Sequence, residues 1–431
     1  MLTRRLATSA VLVAAVLLLT PSAACAQAMP GDLPPKINKA IDNGVVWLKG
    51  RQIKNGAEKD SWGTGNNPLY PGGAGPAHPL YIGITAFALY TLLECDVDPE
   101  DPVIVSGLDY IRRNIDSSFN AGGIGAGGGK MQCMCYECGV LIMMFESLYD
   151  ARWEKLVRAA KKDPKKEKKP PTKLEPGDET LVKGAISFLA ATQSRTGGWR
   201  YGPPAFPSPL GVDQDTSSTQ IALLGLVSAV RMGMAVDPKV FHSAVITTLE
   251  NQAKDGPAAK PKPPEGGGGT MVQATDKCRG WAYTPNAGDS KDQQVSGGMT
   301  ASGVCSLIII KSQLTGNPLF NKDLQARVDK AIFDGLAWID ANWTVTSNPG
   351  GHRSHYYYLY GLERVGILGN IQLIGANAWY VQGAQHLVGA QKGDGHWDSG
   401  TELEPKDVLD SCFALLFLKK ATMPVGVTLT R

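Results

Sequence analysis

Beyond its first 28 residues the chain lacks period-two alternation, a charge of one sign, and any apolar run long enough to cross a bilayer. Each absence excludes something. Without alternation of polar and apolar residues a half-buried sheet has no pattern to fold on. Setting aside Arg4 and Arg5, the 43 Lys and Arg become 41 against 40 Asp and Glu, a balance that argues against a nucleic-acid surface. Nine of the basic residues crowd into residues 155 to 173, so the rest of the chain is mildly acidic. There is no Gly-rich phosphate loop between a strand and a helix, no G-x-S-x-G and no H-E-x-x-H. Aromatic residues are only 7%, too few for a cavity walled entirely by rings.

What is present begins with an export signal. Arg4 and Arg5 precede about 15 apolar residues, and Ala26-Gln27-Ala28 offers a small-x-small cleavage site. Residues 1–28 are therefore expected to be a secretory signal peptide, and the mature protein periplasmic or secreted. Cys25 lies in a poor lipoprotein context, because the position three before it is not apolar. Cys95, Cys305 and Cys412 sit in apolar helical patterns and are expected to pack as small hydrophobes. Cys133, Cys135 and Cys138 cluster, and an exported compartment permits a disulfide there.

The chain repeats itself. GAQHLVGAQKGDGHW places Gly383, Leu387, Gln391, Gly395 and Trp397 in a fixed order, and Leu189, Gln193, Gly197 and Trp199 follow the same plan. Gly44, Leu48, Gln52 and Trp62 form a third copy; TTLENQ with Gly280 and Trp281 forms a looser fourth. GLDYIRRN near Tyr110 and GLAWIDANW near Trp338 are degenerate members. A second apolar helix follows each unit, and Ala86, Gly139, Gln220, Ala301, Tyr356 and Cys412 share one register. Their steps are 53, 81, 81, 55 and 56 residues. Two low-complexity inserts, at about 154–177 and 253–275, account for the long steps, so the period is near 54. Six helices that are apolar on nearly every side must be covered on every side. The expectation is an all-α fold: one domain, residues 29–431, in which six inner helices are shielded by six amphipathic outer ones and close as an α/α toroid, with both inserts as solvated loops.

The Q-x3-G-x-W pattern at Gln193–Trp199 and Gln391–Trp397 resembles the QW repeat of squalene–hopene cyclases. The six-pair plan resembles the toroid of terpenoid cyclases and protein prenyltransferase β subunits. The resemblance implies that Gln bonds the free end of a neighbouring helix and that Trp stacks on it. It also implies two chemistries to test. A cyclase protonates an alkene with the middle Asp of a D-x-D-D-T motif. With Thr216 aligned to the motif's Thr, Asp215 takes the last acid, but Gln214 stands at the catalytic one, and Gln cannot donate that proton. Asp213 and Asp215 remain the candidate acids, against the plainer reading that Asp215 caps the helix that follows. A prenyltransferase holds zinc through Asp-x-Cys and a His. Asp410 and Cys412 fit the first part, but His355 is one residue out of register and His78 about seven, so no zinc or other cofactor is expected. The Cys-Gly-Glu-Gln thioester of complement-type toroids is absent, since Glu137-Cys138-Gly139 is a different order.

These residues imply an exported toroid whose funnel takes an apolar or extended ligand, or a partner protein. Glu137, His355, Tyr356, Tyr357, Trp199, Trp281 and Asp410 are its candidate lining, with Tyr201, Tyr283, Tyr358 and Tyr360 near by. A terpenoid cyclase-like isomerase is the alternative, zinc-dependent prenyl transfer a second, and glycan-directed lyases or hydrolases share the architecture.

Overall fold

The computed structural model describes residues 29–63, 80–115, 135–200, 213–262, 271–284, 294–351, 353–400, 406–422 and 424–429. Among the described residues twelve α-helices alternate between two layers. The outer helices are α1 (Leu33–Gly50), α3 (Pro102–Asn114), α5 (Pro176–Thr192), α7 (Pro238–Asn251), α9 (Lys322–Ala341) and α11 (Trp379–Ala390). The inner helices are α2 (Leu80–Glu94), α4 (Cys135–Ala159), α6 (Thr216–Arg231), α8 (Gly297–Leu314), α10 (His355–Leu368) and α12 (Lys406–Lys419). Inner helices touch in chain order, and α12 returns to α2, so the inner ring is closed. Among the described residues there are only isolated β-bridges and no strand. No described helix is long and apolar enough to cross a membrane.

Local chemistry sets the helix ends. Asp101 and Asp237 accept the backbone N–H of Val103 and Lys239, and a proline follows each cap, where its missing donor costs nothing. Inner helices approach backbone to backbone where glycine permits it. A Cβ on Gly139 of α4 would lie 2.5 Å from Ile221 O of α6, so only glycine fits that crossing.

Four corners between an outer helix and the next inner one share one device. Gln193, Gln252 and Gln391 leave the helical conformation, with ψ of 126°, 142° and 132°, so the carbonyl four residues earlier loses its backbone partner. A tryptophan indole takes it: Trp199 Nε1 bonds Leu189 O, Trp281 bonds Thr248 O, and Trp397 bonds Leu387 O, at 2.7–2.8 Å. Trp62 bonds Leu48 O in the same way. Each glutamine amide then donates to the next outer helix, reaching Val103, Val240, Ala331 and Ala40 carbonyls. The backbone N–H of each tryptophan ends on an inner-helix hydroxyl, at Thr85, Thr219, Thr300 or Ser411. One clasp therefore joins three helices. The expected bond from glutamine to a neighbouring helix is present, but it meets a carbonyl within that helix, and the free carbonyl of the outer helix's own end is capped by the indole.

The inserts are better anchored than loops. Helix α4 continues to Ala159, inside the Lys/Pro segment, where Arg158 pairs with Glu154 one turn earlier. Lys169 then returns to Asp150 on the same helix. In the second insert, Ala259 N bonds Asp276 O, and buried Asp334 of α9 holds Arg279 at 2.6 Å. Residues 263–270 lie outside the described residues.

Candidate functional site in the lumen of the ring

Inner helices that are not neighbours in the ring can meet only across its lumen, and several do. Tyr357 on α10 donates to Gln220 Oε1 on α6 at 2.7 Å, and Arg364 Nη1 reaches the same oxygen at 2.9 Å. Ser302 of α8 lies 3.0 Å from that oxygen and 2.8 Å from the Tyr357 hydroxyl. The Tyr360 hydroxyl is 3.4 Å from that of Tyr90 on α2. Phe413 of α12 completes the cluster, with ring centroids 5.1 Å from Phe87, 5.5 Å from Tyr357 and 5.9 Å from Tyr360. The lumen is thus bridged by side chains of the protein itself.

At the middle of this cluster lies a cation. The Arg364 guanidinium sits 4.0 Å from the Tyr360 ring centroid and 5.4 Å from that of Tyr357, and its side chain is 0% exposed. Burial works against its charge, but Tyr360, Tyr357, Cys305 and Glu363 around it together outweigh that, and its pKa stays above the usual value. Burial pushes the hydroxyls of Tyr357 and Tyr360 up to about 12, with Arg364 opposing, so both remain neutral donors. Apolar pairs recur along three consecutive inner helices. Ile84 and Phe87, Val140 and Met143, and Ile221 and Leu224 lie at i, i+3 spacing on α2, α4 and α6, and each keeps 5–8% exposure.

At the C-terminal ends of the inner helices a small cavity of about 20 Å³ opens, room for one water. Tyr90, Tyr360, Glu146 and Arg231 line it, and the last two form a bidentate pair at 2.6 Å. Glu94, hydrogen-bonded by Ser147, stands at its edge, its carboxyl pushed up to about 8 by burial and by the neighbouring Glu146. Glu94 and Ser147 also border an outer groove of about 280 Å³.

The residues singled out from the sequence are distributed otherwise. Asp215 is the N-cap of α6, accepting Ser218 N, Ser218 Oγ and Ser217 Oγ at 2.7–2.8 Å. Burial raises its pKa, and those three donors pull it back. Asp213 is exposed and accepts a long 3.4 Å bond from Thr196. Gln214, at the cyclase-acid position, is buried against Gly198. Trp199 and Trp281 do not line the funnel: both are 0% exposed and belong to the clasps. A loop aromatic folded back between layers reads in sequence like one facing the mouth. Glu137, His355, Tyr356 and Asp410 lie near the N-terminal ends of α4, α10 and α12, at one end of the ring, and of the expected aromatics Tyr357 and Tyr360 enter the lumen cluster.

The metal candidates are turned to separate tasks. Asp410 Oδ2 accepts Ser399 N at 2.6 Å, and His355 Nε2 bonds Val345 O at 3.0 Å. The Cys412 thiol is buried, and burial pushes its pKa up to about 12. Burial holds His355 neutral, down to about 4, with His386 beside it at 5.1 Å. Among the described residues no three His, Cys, Asp or Glu side chains converge as a metal set. Cys135 carries a free thiol; Cys133, His78 and Tyr201 lie outside the described residues.

Sequence reasoning missed Gln220 and Arg364 as site residues. Both left a signal. Gln220 is the one amide among the six register positions, and Arg364 is a cation in a helix apolar on all sides.

No family model matches the chain, and no curated protein does. Solved structures do. A glycoside hydrolase family 76 α-mannanase of Bacteroides thetaiotaomicron aligns over 90% of this chain and 98% of its own, at 12% identity and a TM-score of 0.53. A type II terpene cyclase from Scytonema, in complex with its product merosterolic acid A, aligns over 90% and 98%, at 13% identity and a TM-score of 0.48. An unsaturated glucuronyl hydrolase from Bacillus sp. GL1 aligns over 90% and 96%, at 12% identity and a TM-score of 0.47. At such identities the likeness speaks for architecture alone. With twelve alternating helices, a closed inner ring and the mannanase's overlay, the chain is an α/α toroid.

Proposed function

We propose that the protein is an exported toroid that binds an extended, largely apolar ligand in its lumen and does not carry out carbocation cyclisation. One observation carries this reading: the aromatic cluster of the lumen already holds a cation, Arg364, between Tyr357 and Tyr360. A cyclase needs such rings free to stabilise its cationic intermediate. Here a carbocation on the same rings would meet a fixed positive charge, with a repulsion of about 4 kcal/mol at 4 Å and an effective dielectric of 20. The position of the proton donor is consistent with this, since Gln214 occupies it and Asp215 is committed to its helix. The stripes from Ile84, Val140 and Ile221 suit a chain-like ligand better than a polar one. Export is inferred from Arg4, Arg5 and the apolar run after them.

The test uses protein exported through its own leader and purified without detergent. Solvent extraction and mass spectrometry should return a chain-bearing molecule at near-stoichiometric yield, and incubation with squalene should leave squalene unchanged. Cyclised product from the wild type, lost in the Asp213→Asn, Asp215→Asn double variant, would overturn the reading.

A further inference from the structure

Two donors inside the lumen lack an oxygen or nitrogen acceptor. Arg364 Nη2 and Gln220 Nε2 are buried without one among the described residues, and the Gln220 amide has only the weakly accepting Cys305 sulfur beside it. Both side chains are 0% exposed. They sit side by side, because Arg364 Nη1 bonds Gln220 Oε1 at 2.9 Å. The amide cannot be turned over to relieve this. Its oxygen already faces the Tyr357 hydroxyl, the Ser302 hydroxyl and the guanidinium, and an NH₂ there would confront another donor that cannot accept.

No carboxylate among the described residues bonds the guanidinium directly. Glu363, next to it in the chain, feels its charge but gives its hydrogen bonds to Thr422 N and Thr422 Oγ1. Glu146 is committed to Arg231, and Glu94 to Ser147. A buried cation with no anion bonded to it, beside a second donor without an oxygen acceptor, is costly to keep unless something supplies acceptors.

We propose that Arg364 and Gln220 form a head-group site for an oxyanion, so that the ligand of the lumen is an apolar chain ending in a carboxylate or a phosphate. This rests on the lumen-binding reading above and narrows it. In the state described here Tyr357 and Tyr360 cover the guanidinium, and Phe413 packs on both. The head group enters when these rings turn aside, and their hydroxyls then donate to the same anion. A carboxylate or phosphate suits the fork of an arginine in a way that an alcohol does not. A pure hydrocarbon such as squalene leaves both donors without an oxygen acceptor.

The experiment is calorimetric titration of the mature protein with three sixteen-carbon probes below their aggregation limits: palmitate, hexadecyl phosphate and hexadecanol. At least one anion should bind about tenfold or more tightly than the alcohol, and the tighter of the two identifies the head group. In Arg364→Met, and more weakly in Gln220→Leu, that preference should vanish while hexadecanol affinity holds. Equal affinity of wild type for all three overturns the oxyanion site and leaves the lumen reading standing. No binding of any probe overturns both. The comparison on wild type decides the question even where a variant fails to fold.

Discussion

Four corners of the ring are clasped by Gln and Trp, and two are not. At the clasped corners one tryptophan and one glutamine tie together an outer helix, its inner partner and the next outer helix. At the corners after α3 and α9 an asparagine does a smaller job. Asn114 Nδ2 bonds Tyr110 O and Asn342 Nδ2 bonds Trp338 O, each at 2.9 Å and within the same helix. The inner-helix hydroxyl has gone too: Cys138 and His355 stand where Thr85, Thr219, Thr300 and Ser411 stand elsewhere. Both devices satisfy the orphan carbonyls of a helix end. Only the first also reaches the neighbouring helices. Where the repeat degenerates, other side chains reach the next outer helix: Arg112 of α3 grips Asp178 of α5, and Trp343, just after α9, donates to Gln382 of α11. The α9–α10 corner lies next to the helix that carries Tyr357, Tyr360 and Arg364.

This contrast is open to measurement. Trp199→Ala should have the largest effect, about 3–5 kcal/mol lost in chemical denaturation, since it empties a buried site and orphans Leu189 O. A loss below about 1 kcal/mol would mean that the clasp does not brace the ring.

The unclasped corner should show instead in its pH response. His355 is held neutral, down to about 4 against 6.5 in the unfolded chain. A depressed histidine contributes stability that is present above its unfolded pKa and is lost as pH falls through the folded one. Wild type should therefore lose about 2 kcal/mol more than His355→Gln between pH 6.5 and 4. Parallel profiles for the two proteins would remove His355 as the cause.

Gln193→Ala removes amide bonds to Gly197 O and Val240 O and should cost about 1–2 kcal/mol. Asn342→Ala, which removes one bond within one helix, should cost about 0.5–1 kcal/mol. Equal losses for these two would erase the distinction between a brace and a local cap.

The helix pairs were legible because the inner helices are apolar on all sides, a pattern that has only one kind of partner. The ring order followed from the period. The lumen was not legible, because periodicity says which side of a helix faces inward but not what it meets there. Gln220 and Arg364 are 144 positions apart, and their bond depends on the radius of the closed ring. Asp215 was readable both as an acid and as a cap; its three donors favour the cap. Trp199 and Trp281 were misplaced because composition cannot separate an aromatic at the rim from one wedged between layers. The continuation of α4 into the Lys/Pro run was hidden by its lysines, which read as solvated coil until Lys169 is seen to fold back on Asp150.

The last clasp carries an entropic cost. Gln391 on the final outer helix donates to Ala40 O on the first, across 351 positions of the chain. Pairs in the middle of the ring join nearby sequence, but this joint closes one of the longest loops among the described residues, and the entropy of closing a loop grows with its length. Without α12, the faces of α1 and α2 that it packs on would be turned to water. The contacts that make the toroid a ring are therefore the ones that cost it the most chain entropy among its helix pairings.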